Sequence, residues 1–153
     1  MASSAGAATG PSEEFRYPGS RLGLPEDGPG SVATWGRRVL ALLIDWLLAG
    51  LIASALTGRP MWAGGNDYSL MHTTVFFAMS AILTGLVGST IGHRICSLRV
   101  APVREGKTFP VQPGLLAGII RSVLICLEIP AVIFDRERRG LHDLAAKTIV
   151  VRR

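Results

Sequence analysis

Two long apolar runs constrain this chain more than any other feature of its sequence. Residues 39–57 contain a single charged residue, Asp45, and residues 66–92 contain a single one, Asp67. Such runs reach the roughly 20 residues that an α-helix needs to cross about 30 Å of hydrocarbon. Only 18% of the residues are charged, whereas soluble domains carry about 25%. We therefore predict an α-helical integral membrane protein with two firm transmembrane helices.

The basic residues beside these runs predict how the helices are oriented. Arg37 and Arg38 stand at the start of the first helix, which is predicted over residues 35–57. The positive-inside rule places that end in the cytoplasm. Residues 58–70 have one basic residue and several turn-forming Gly, Pro and Asn residues, as in a short outer loop. The second helix, predicted over residues 71–92, then returns the chain to the cytoplasm.

A basic stretch, residues 93–113, follows the second helix and is predicted to form a cytoplasmic β-hairpin. Its β-branched residues flank a Gly-containing turn, and its basic residues outnumber Glu105. These basic residues are Arg94, Arg99, Arg104 and Lys107. A further β-branched run, residues 148–151, lies in the predicted cytoplasmic tail, residues 135–153. It either adds a strand to the hairpin, giving a small sheet under the membrane, or belongs to a disordered basic tail.

The third apolar segment, residues 114–134, is long enough for a span, but its charges argue against one. A full span would carry six basic residues of the tail to the outside. The segment also holds Arg121 and Glu128, and a central charge costs about 2.5–3.5 kcal/mol. Each Leu or Ile returns only about 0.3–0.6 kcal/mol. We predict a re-entrant or bent helical segment packed against the first two helices, with a full third span as the alternative.

The N-terminal stretch, residues 1–34, is rich in Gly, Pro, Ala and Ser. A segment of this composition buries too little apolar surface to offset the entropy of ordering it. We predict a disordered cytoplasmic tail, followed by one membrane domain over residues 35–153. Both termini are then expected in the cytoplasm of a multi-pass protein of the plasma membrane.

Four ionisable residues near or inside the apolar segments are candidate functional groups. Arg38 and Asp45 lie seven positions apart, as do Arg121 and Glu128, so each pair occupies one helix face two turns apart. Because an unpaired charge is costly at that depth, we expect Asp45 to pair with Arg121, or Arg38 with Glu128. The charges either carry ions or protons or form a structural ion-pair network that fixes helix register.

Small residues recur along both predicted helices. They are Gly50, Ser54 and Gly58 in the first helix, and Ser80, Thr84, Gly88 and Gly92 in the second. Such stripes allow helix backbones to approach closely in lipid, although they also follow from a composition rich in Ala and Gly. A packed helix pair surrounded by the lipid bilayer is expected, and the stripes also allow a homo-oligomer.

Other classes of function find little support. The net charge of +5 comes from basic residues that flank apolar segments, so no nucleic-acid partner is expected. The histidines have no metal-ligand spacing, and Cys96 and Cys126 form neither a metal site nor a disulfide framework. His142 and Asp143 have no neighbouring nucleophile, and Asp143 is better explained as a helix cap. We predict no catalytic residues, no cofactor and no metal.

Several motifs, taken in order, resemble the RDD family of bacterial membrane proteins. The first is RVLALLID, in which Arg38 is followed after six residues by Asp45. The others are the corner Gly92-His93-Arg94, the strand Leu98-Arg99-Val100, Arg121, the motif Leu141-His142-Asp143 and the strand Thr148-Ile149-Val150-Val151. The resemblance covers residues 35–153. It departs from the family at His93, where Lys is usual.

The resemblance implies a role in transport, which has been proposed for the family, and cation/proton exchange has been ascribed to one member. We therefore expect a transport or ion-handling component of the inner membrane, built around Arg38, Asp45, Arg121 and Glu128. The alternative is a non-transporting scaffold that recruits a cytoplasmic protein partner through the basic hairpin and the tail.

Overall fold

The computed structural model describes residues 16–62, 64–105, 107–127 and 138–153. Within these ranges the chain forms a short 3-10 turn, five α-helices and three β-strands. The helices are α1 (Trp35–Thr57), α2 (Asn66–Val87), α3 (Ile91–Ile95), α4 (Leu115–Cys126) and α5 (Leu141–Ala145). The strands are β1 (Leu98–Arg104), β2 (Lys107–Thr108) and β3 (Thr148–Arg152). Helices α1 and α2 form an antiparallel pair, and the sheet lies at the end of this pair where α1 begins.

Glycines in the left-handed region end both long helices. Helix α1 stops at Gly58, with φ 66°, and has the bounds that the sequence predicts. Helix α2 stops at Gly88, with φ 72°, whose N–H donates to the Thr84 carbonyl at 3.0 Å. A residue in this conformation terminates a helix, and glycine adopts it without steric cost. The second helix therefore lies at Asn66–Val87 and not at the predicted residues 71–92.

The two long helices keep most of their apolar surface exposed. Both are long and apolar enough to cross a membrane, with mean hydropathies of 2.3 and 1.7 over an 18-residue window. Each is roughly 33 Å long at about 1.5 Å per residue. Only 28% of either window is buried, and Leu51 and Leu56 are 60% and 65% exposed. This exposure distinguishes them from the core helices of a soluble domain, whose apolar faces are buried.

Side chains of α2 bond to backbone carbonyls of α1. The Tyr68 hydroxyl donates to the Gly50 carbonyl at 3.0 Å. One turn further on, His72 Nε2 lies 3.0 Å from the Trp46 carbonyl. The Ser54 hydroxyl instead donates to a carbonyl in the loop after α1. Of the predicted packing residues in α1, Gly50 thus lies at the contact between the helices.

The second predicted stripe of small residues does not form one helix face. Ser80 and Thr84 are buried on α2. Gly88 ends that helix, and Gly92 lies in the separate helix α3. Ser80 and Thr84 therefore serve helix packing, whereas Gly88 and Gly92 lie where the chain changes direction after α2.

Helix α4, formed by the third apolar segment, packs with its backbone directly on that of α2. The Gly114 N–H donates to the Gly85 carbonyl at 3.2 Å. A Cβ atom at Gly118 would lie 2.9 Å from the Gly85 nitrogen and would also collide with the Ala81 carbonyl. Close approach of two helices at small residues is a common way to pack helices in lipid. The sequence stripes do not include Gly85 or Gly118.

The third apolar segment begins at the same end of the helix pair as Gly140, the residue before α5. Helix α4 has 12 residues and is roughly 18 Å long, too short to cross about 30 Å. It begins beside the end of α2, and Gly140 lies next to Asp143, which contacts Arg38 near the start of α1. The re-entrant course of residues 114–134 stays a prediction. Residues 128–137, which include Glu128, lie outside the described residues.

The three strands form an antiparallel sheet in the order β2-β1-β3. Val100 pairs with Val150, and Val103 pairs with Thr108 across a turn in which Glu105 has a φ of 49°. The predicted small sheet is confirmed, with β3 added to the hairpin. The alternative of a disordered tail is therefore wrong for the residues of β3.

Both faces of this sheet are covered. On one face, Val100 and Val150 pack against Ala41 and Ile44 of α1. On the opposite, outer face, the cover is the N-terminal segment (residues 16–34). The sheet is thus held between the helix pair and a length of chain that precedes it.

The N-terminal segment differs from the disordered tail that its composition predicts. Leu22, Leu24 and Val32 are buried against the outer face of the sheet, and Val32 forms an antiparallel bridge with Val151. A few apolar side chains are enough to order the segment, because the outer face of the sheet supplies the rest of the apolar surface. The prediction is wrong for this segment, and residues 1–15 lie outside the described residues.

Gly118→Leu should destabilise the contact between α2 and α4. Inserting a side chain where a Cβ already meets the α2 backbone costs about 1–3 kcal/mol. The measurement is the free energy of unfolding in mild detergent, followed by titration with a denaturing detergent. Gly36→Leu is the matched control, because nothing lies within 4 Å of a Cβ at Gly36. Equal stability of the two variants would contradict the close packing.

Candidate functional site

A fully buried carboxylate, Asp143, joins three helices. Arg38 of α1 donates from Nη1 to Asp143 Oδ2 at 2.7 Å, and Arg121 of α4 donates from Nη1 to Oδ1. The N–H of Gly140 also donates to the carboxylate, at 3.4 Å, so Asp143 caps its own helix α5. Charge-assisted bonds of this kind are roughly twice as strong as neutral ones.

The same two arginines reach strand β3. Arg121 Nη1 donates to Thr148 Oγ1 at 3.0 Å, and Arg38 Nη2 donates to the Val150 carbonyl at 3.2 Å. We call Arg38, Arg121, Asp143 and Thr148 the Asp143 cluster. It connects the helix pair, α4, α5 and the sheet through side chains that are at least nine-tenths buried.

A second buried carboxylate, Asp45, bonds to the start of α3. The Thr90 hydroxyl donates to Asp45 Oδ2, and the Gly92 N–H donates to Oδ1 at 2.7 Å. His93 Nδ1 lies 3.8 Å from Oδ2 and 2.6 Å from Thr90 Oγ1. We call Asp45, Thr90, Gly92 and His93 the Asp45 site. Apart from His93, the described residues place no basic side chain within ion-pair distance of this carboxylate.

Glycine at position 92 allows this site to form. A Cβ atom there would lie 2.9 Å from the Asp45 carboxyl carbon and would collide with the Ala41 carbonyl. Thr90 adopts an extended conformation before α3 and accepts the His93 N–H at 3.2 Å, as a helix N-cap does. The short helix therefore presents its first N–H groups to a carboxylate of α1.

The structure pairs the charges differently from the sequence prediction. The predicted Asp45–Arg121 pair is not formed, because Arg121 binds Asp143 and Asp45 binds α3. Arg38 also binds Asp143, and its other predicted partner, Glu128, lies outside the described residues. Asp143 does cap a helix as predicted, but its main partners are two arginines that no local pattern brings to it.

Sequence reasoning did not identify Thr90 or Thr148 as site residues. A Ser-Thr pair before the short corner containing His93 is a helix-cap pattern that could have identified Thr90. Thr148 lies in a β-branched run, where a threonine is expected whether or not its hydroxyl has a role. His142, like Asp143, has no local sequence pattern that links it to the arginines, because only the fold brings it near Arg38 and Arg121.

A cavity of about 70 Å³, the arginine cavity, lies between the two sites. Its polar lining consists of Arg38, Arg121, His93 and His142, and the remainder of its lining is apolar. Two buried nitrogen atoms of its lining residues, Arg38 Nε and His142 Nδ1, have no hydrogen-bond partner among the described residues. A polar cavity of this size has room for water.

Both imidazoles of the cavity are neutral near pH 7. Burial, followed by the positive charges of Arg121 and Arg38, lowers the pKa of His142 to about 3. Burial also lowers the pKa of His93, against the opposing effect of the Asp45 carboxylate. Since the Thr90 hydroxyl donates to Asp45, the hydrogen-bond network assigns the ring proton of His93 to Nδ1, donating to Thr90.

The fold and these contacts define a class of small helical protein with two candidate membrane helices. Buried Arg–Asp bonds hold a small sheet at one end of the helix pair. The family model for the RDD family matches residues 32–147, most of the chain, and the chain belongs to that family. The matched region contains Arg38, Asp45, Arg121 and Asp143. Comparisons with curated proteins and with solved structures gave no match. Within the described residues, no group of three or more His, Cys, Asp or Glu side chains is placed to hold a metal ion.

Asp143→Asn should strongly destabilise the protein, because it leaves two buried guanidinium groups without a carboxylate. Removing one partner of a buried ion pair costs about 3–5 kcal/mol. The free energy of unfolding in mild detergent measures this loss, and Asp27→Asn, at an exposed position, serves as the control. If both variants matched the wild-type protein, the Asp143 cluster would not hold the elements together.

Wild-type stability should fall as the pH is lowered from about 6.5 towards 3, and His142→Gln should reduce that fall. The unfolded imidazole takes up a proton below its ordinary pKa of 6.5, whereas the folded one stays neutral down to about 3. Protons therefore favour the unfolded chain in this interval. Thermal melting at a series of pH values tests the effect, and superimposable curves for the two proteins would contradict it.

Proposed function

We propose that the chain is an integral membrane protein in which α1 and α2 cross the bilayer and α4 re-enters from the sheet side. Two observations support insertion: both helices have the length of a span, and most of their large apolar side chains are exposed. A contiguous apolar surface of this extent on a monomer calls for an apolar surrounding. The lipid bilayer supplies it.

The sheet end is proposed to face the cytoplasm, together with the N-terminal segment. Basic residues are concentrated at this end, whereas the loop between α1 and α2 carries Arg59. The basic residues at the sheet end include Arg37, Arg94, Arg99, Arg104, Lys107, Lys147, Arg152 and Arg153. This distribution is the one that the positive-inside rule describes for cytoplasmic segments.

We infer that the protein handles ions by binding and releasing a proton at Asp45. The observation that carries this inference is a buried carboxylate, in a candidate membrane helix, that is hydrogen-bonded to a hydroxyl and a backbone N–H and has no arginine partner among the described residues. Buried carboxylates inside membrane segments are commonly proton carriers. Asp143 is unsuited to this role, because its two guanidinium partners favour the charged form.

The three side chains of the Asp45 site form a path for the proton. His93 Nδ1–H gives its proton to Thr90 Oγ1 as the Thr90 hydroxyl passes its own proton to Asp45 Oδ2. In the same step His93 Nε2 takes up a proton delivered through the arginine cavity, which its ring lines, so that the imidazole stays neutral. The net result is one proton moved from that cavity to Asp45, and the reverse sequence releases it.

A pathway across the membrane requires more than one chain in this proposal. Two spans and a half-length helix cannot enclose a polar route by themselves, and exposed apolar faces on α1 and α2 leave room for neighbouring copies. We therefore propose a homo-oligomer in which each chain contributes one Asp45 site. We still expect no enzymatic activity and no nucleic-acid partner.

The alternative function, a scaffold that recruits a cytoplasmic partner, stays a prediction, but the fold restricts which residues could contact that partner. The tail was expected to recruit a partner, but residues 138–153 include α5 and β3, which are built into the Asp143 cluster and the sheet. Deleting the tail would therefore unfold the domain and not merely release a partner. Any recruitment would have to use exposed parts of the hairpin, such as Arg104 and Lys107.

Asp45→Asn should abolish ion-driven proton movement while the protein still inserts and folds. Asparagine keeps the shape of the side chain, and its amide oxygen can accept the Gly92 N–H while its NH2 group donates to Thr90 Oγ1, but it cannot take up a proton at neutral pH. The assay uses purified full-length protein in proteoliposomes containing a pH-sensitive dye, with sodium, potassium or lithium gradients applied. The expected result is wild-type flux above that of empty vesicles and Asp45→Asn flux equal to it.

Two further variants make this test specific. Asp67→Asn, at an exposed position in the first turn of α2, should retain wild-type flux. Thr90→Val keeps the volume but removes the hydroxyl that joins His93 to Asp45, so its flux should fall. Wild-type flux equal to empty vesicles under every gradient would refute the proposal, as would full flux in Asp45→Asn.

A further inference from the structure

We propose that the groove between α1, α2 and α4 holds one anionic phospholipid of the cytoplasmic leaflet, with its phosphate beside Arg38 and Arg138. The proposal depends on the membrane insertion proposed above, and its test measures lipid retention and not proton flux. It assigns a ligand to three adjoining spaces, of which the arginine cavity is lined in part by side chains of the Asp143 cluster and the Asp45 site.

The polar end of this site is rich in arginine. A space of about 250 Å³, lined by Ala33, Trp35, Arg38 and Arg138, adjoins the arginine cavity, with which it shares Trp35 and Arg38. The Nε atom of Arg38 is buried and has no partner among the described residues, and the Arg38 side chain is 10% exposed. An anionic oxygen atom would complete its hydrogen bonding.

The charges that the described residues place around these two spaces are unbalanced. Three guanidinium groups, those of Arg38, Arg121 and Arg138, line them, and Asp143 is the carboxylate bonded to two of these groups. One phosphate would neutralise much of this excess. Arginine suits such a role because its planar fork of donors matches phosphate oxygens.

The apolar end of the site continues from the arginine cavity. A groove of about 370 Å³ shares Leu42 and Ile125 with that cavity and runs on past Leu43 and Phe76 to Trp46. From Arg38 to Trp46 the distance along α1 is about 12 Å at 1.5 Å per residue. One leaflet of hydrocarbon is about 15 Å thick, half of the usual 30 Å. The arginine cavity and the groove together therefore extend over most of the depth of one leaflet.

Continuity between the two ends identifies the ligand. A free phosphate would satisfy the arginines and leave the groove empty, and a neutral hydrocarbon would fill the groove and leave Arg38 Nε without a partner. A phospholipid satisfies both. Trp35, which is 59% exposed beside the polar end, has the position of an aromatic side chain at the level of the head groups.

The test uses full-length protein in nanodiscs of phosphatidylcholine with a minor share of phosphatidylglycerol. After extraction into mild detergent, native mass spectrometry counts the lipids that stay bound. We expect one phosphatidylglycerol per chain in the wild-type protein. Arg138→Gln should reduce its retention about fivefold, the ratio that corresponds to about 1 kcal/mol for one arginine near an anionic lipid. Leu43→Trp should reduce it as well, by filling the groove.

Matched controls separate this site from general attraction to lipid. Arg104→Gln removes an arginine from the hairpin, and Leu51→Trp enlarges an exposed residue of α1 outside the groove. Both should retain phosphatidylglycerol as the wild type does, with the same melting temperature. Equal retention in all five proteins would overturn the proposal, as would equal retention of phosphatidylcholine. Displacement of the lipid by millimolar glycerol phosphate would instead define a free-phosphate site and would also overturn it.

Discussion

The bond between Asp143 and two arginines is the interaction on which the rest of the structure depends. A buried carboxylate is tolerated only when partners replace its water, and here the partners come from α1 and α4. Because the same guanidinium groups reach Thr148 and the Val150 carbonyl, one charge fixes the sheet against the helix pair. The short helix α5 carries this carboxylate, which also caps the helix by accepting the Gly140 N–H.

The two buried aspartates illustrate how similar residues acquire different chemistry. Asp143 receives two permanent positive charges and stays ionised, which makes it a structural element. Asp45 receives a hydroxyl and a backbone N–H, with the neutral His93 imidazole nearby and no guanidinium group among the described residues. The arginine cavity lies between the two sites, so the proton exchange proposed for Asp45 would take place beside the ion pairs that join the helices to the sheet.

The sequence predicted those helices and strands that depend on residues close together in the chain. Helix α1 follows from an apolar run, and the small sheet follows from β-branched residues around a turn. The position of α2 depends on the backbone conformation of Gly88, which hydropathy does not register. Asp143 has no sequence neighbour that reveals its arginines, and the order of the N-terminal segment depends on a sheet face formed by distant residues. In each case the missing information was a contact between segments far apart in the chain.

The N-terminal segment has a consequence for how the protein is made. Val32 pairs with Val151, and the Gly30 N–H donates to the Arg152 carbonyl at 2.9 Å, so residues before α1 need β3, which follows every apolar segment. During synthesis these early residues emerge without the surface that they will cover. Closure of the sheet thus follows synthesis of every apolar segment, and contacts of such long range form slowly. The N-terminal segment can therefore take its place on the sheet only after β3 has been synthesised.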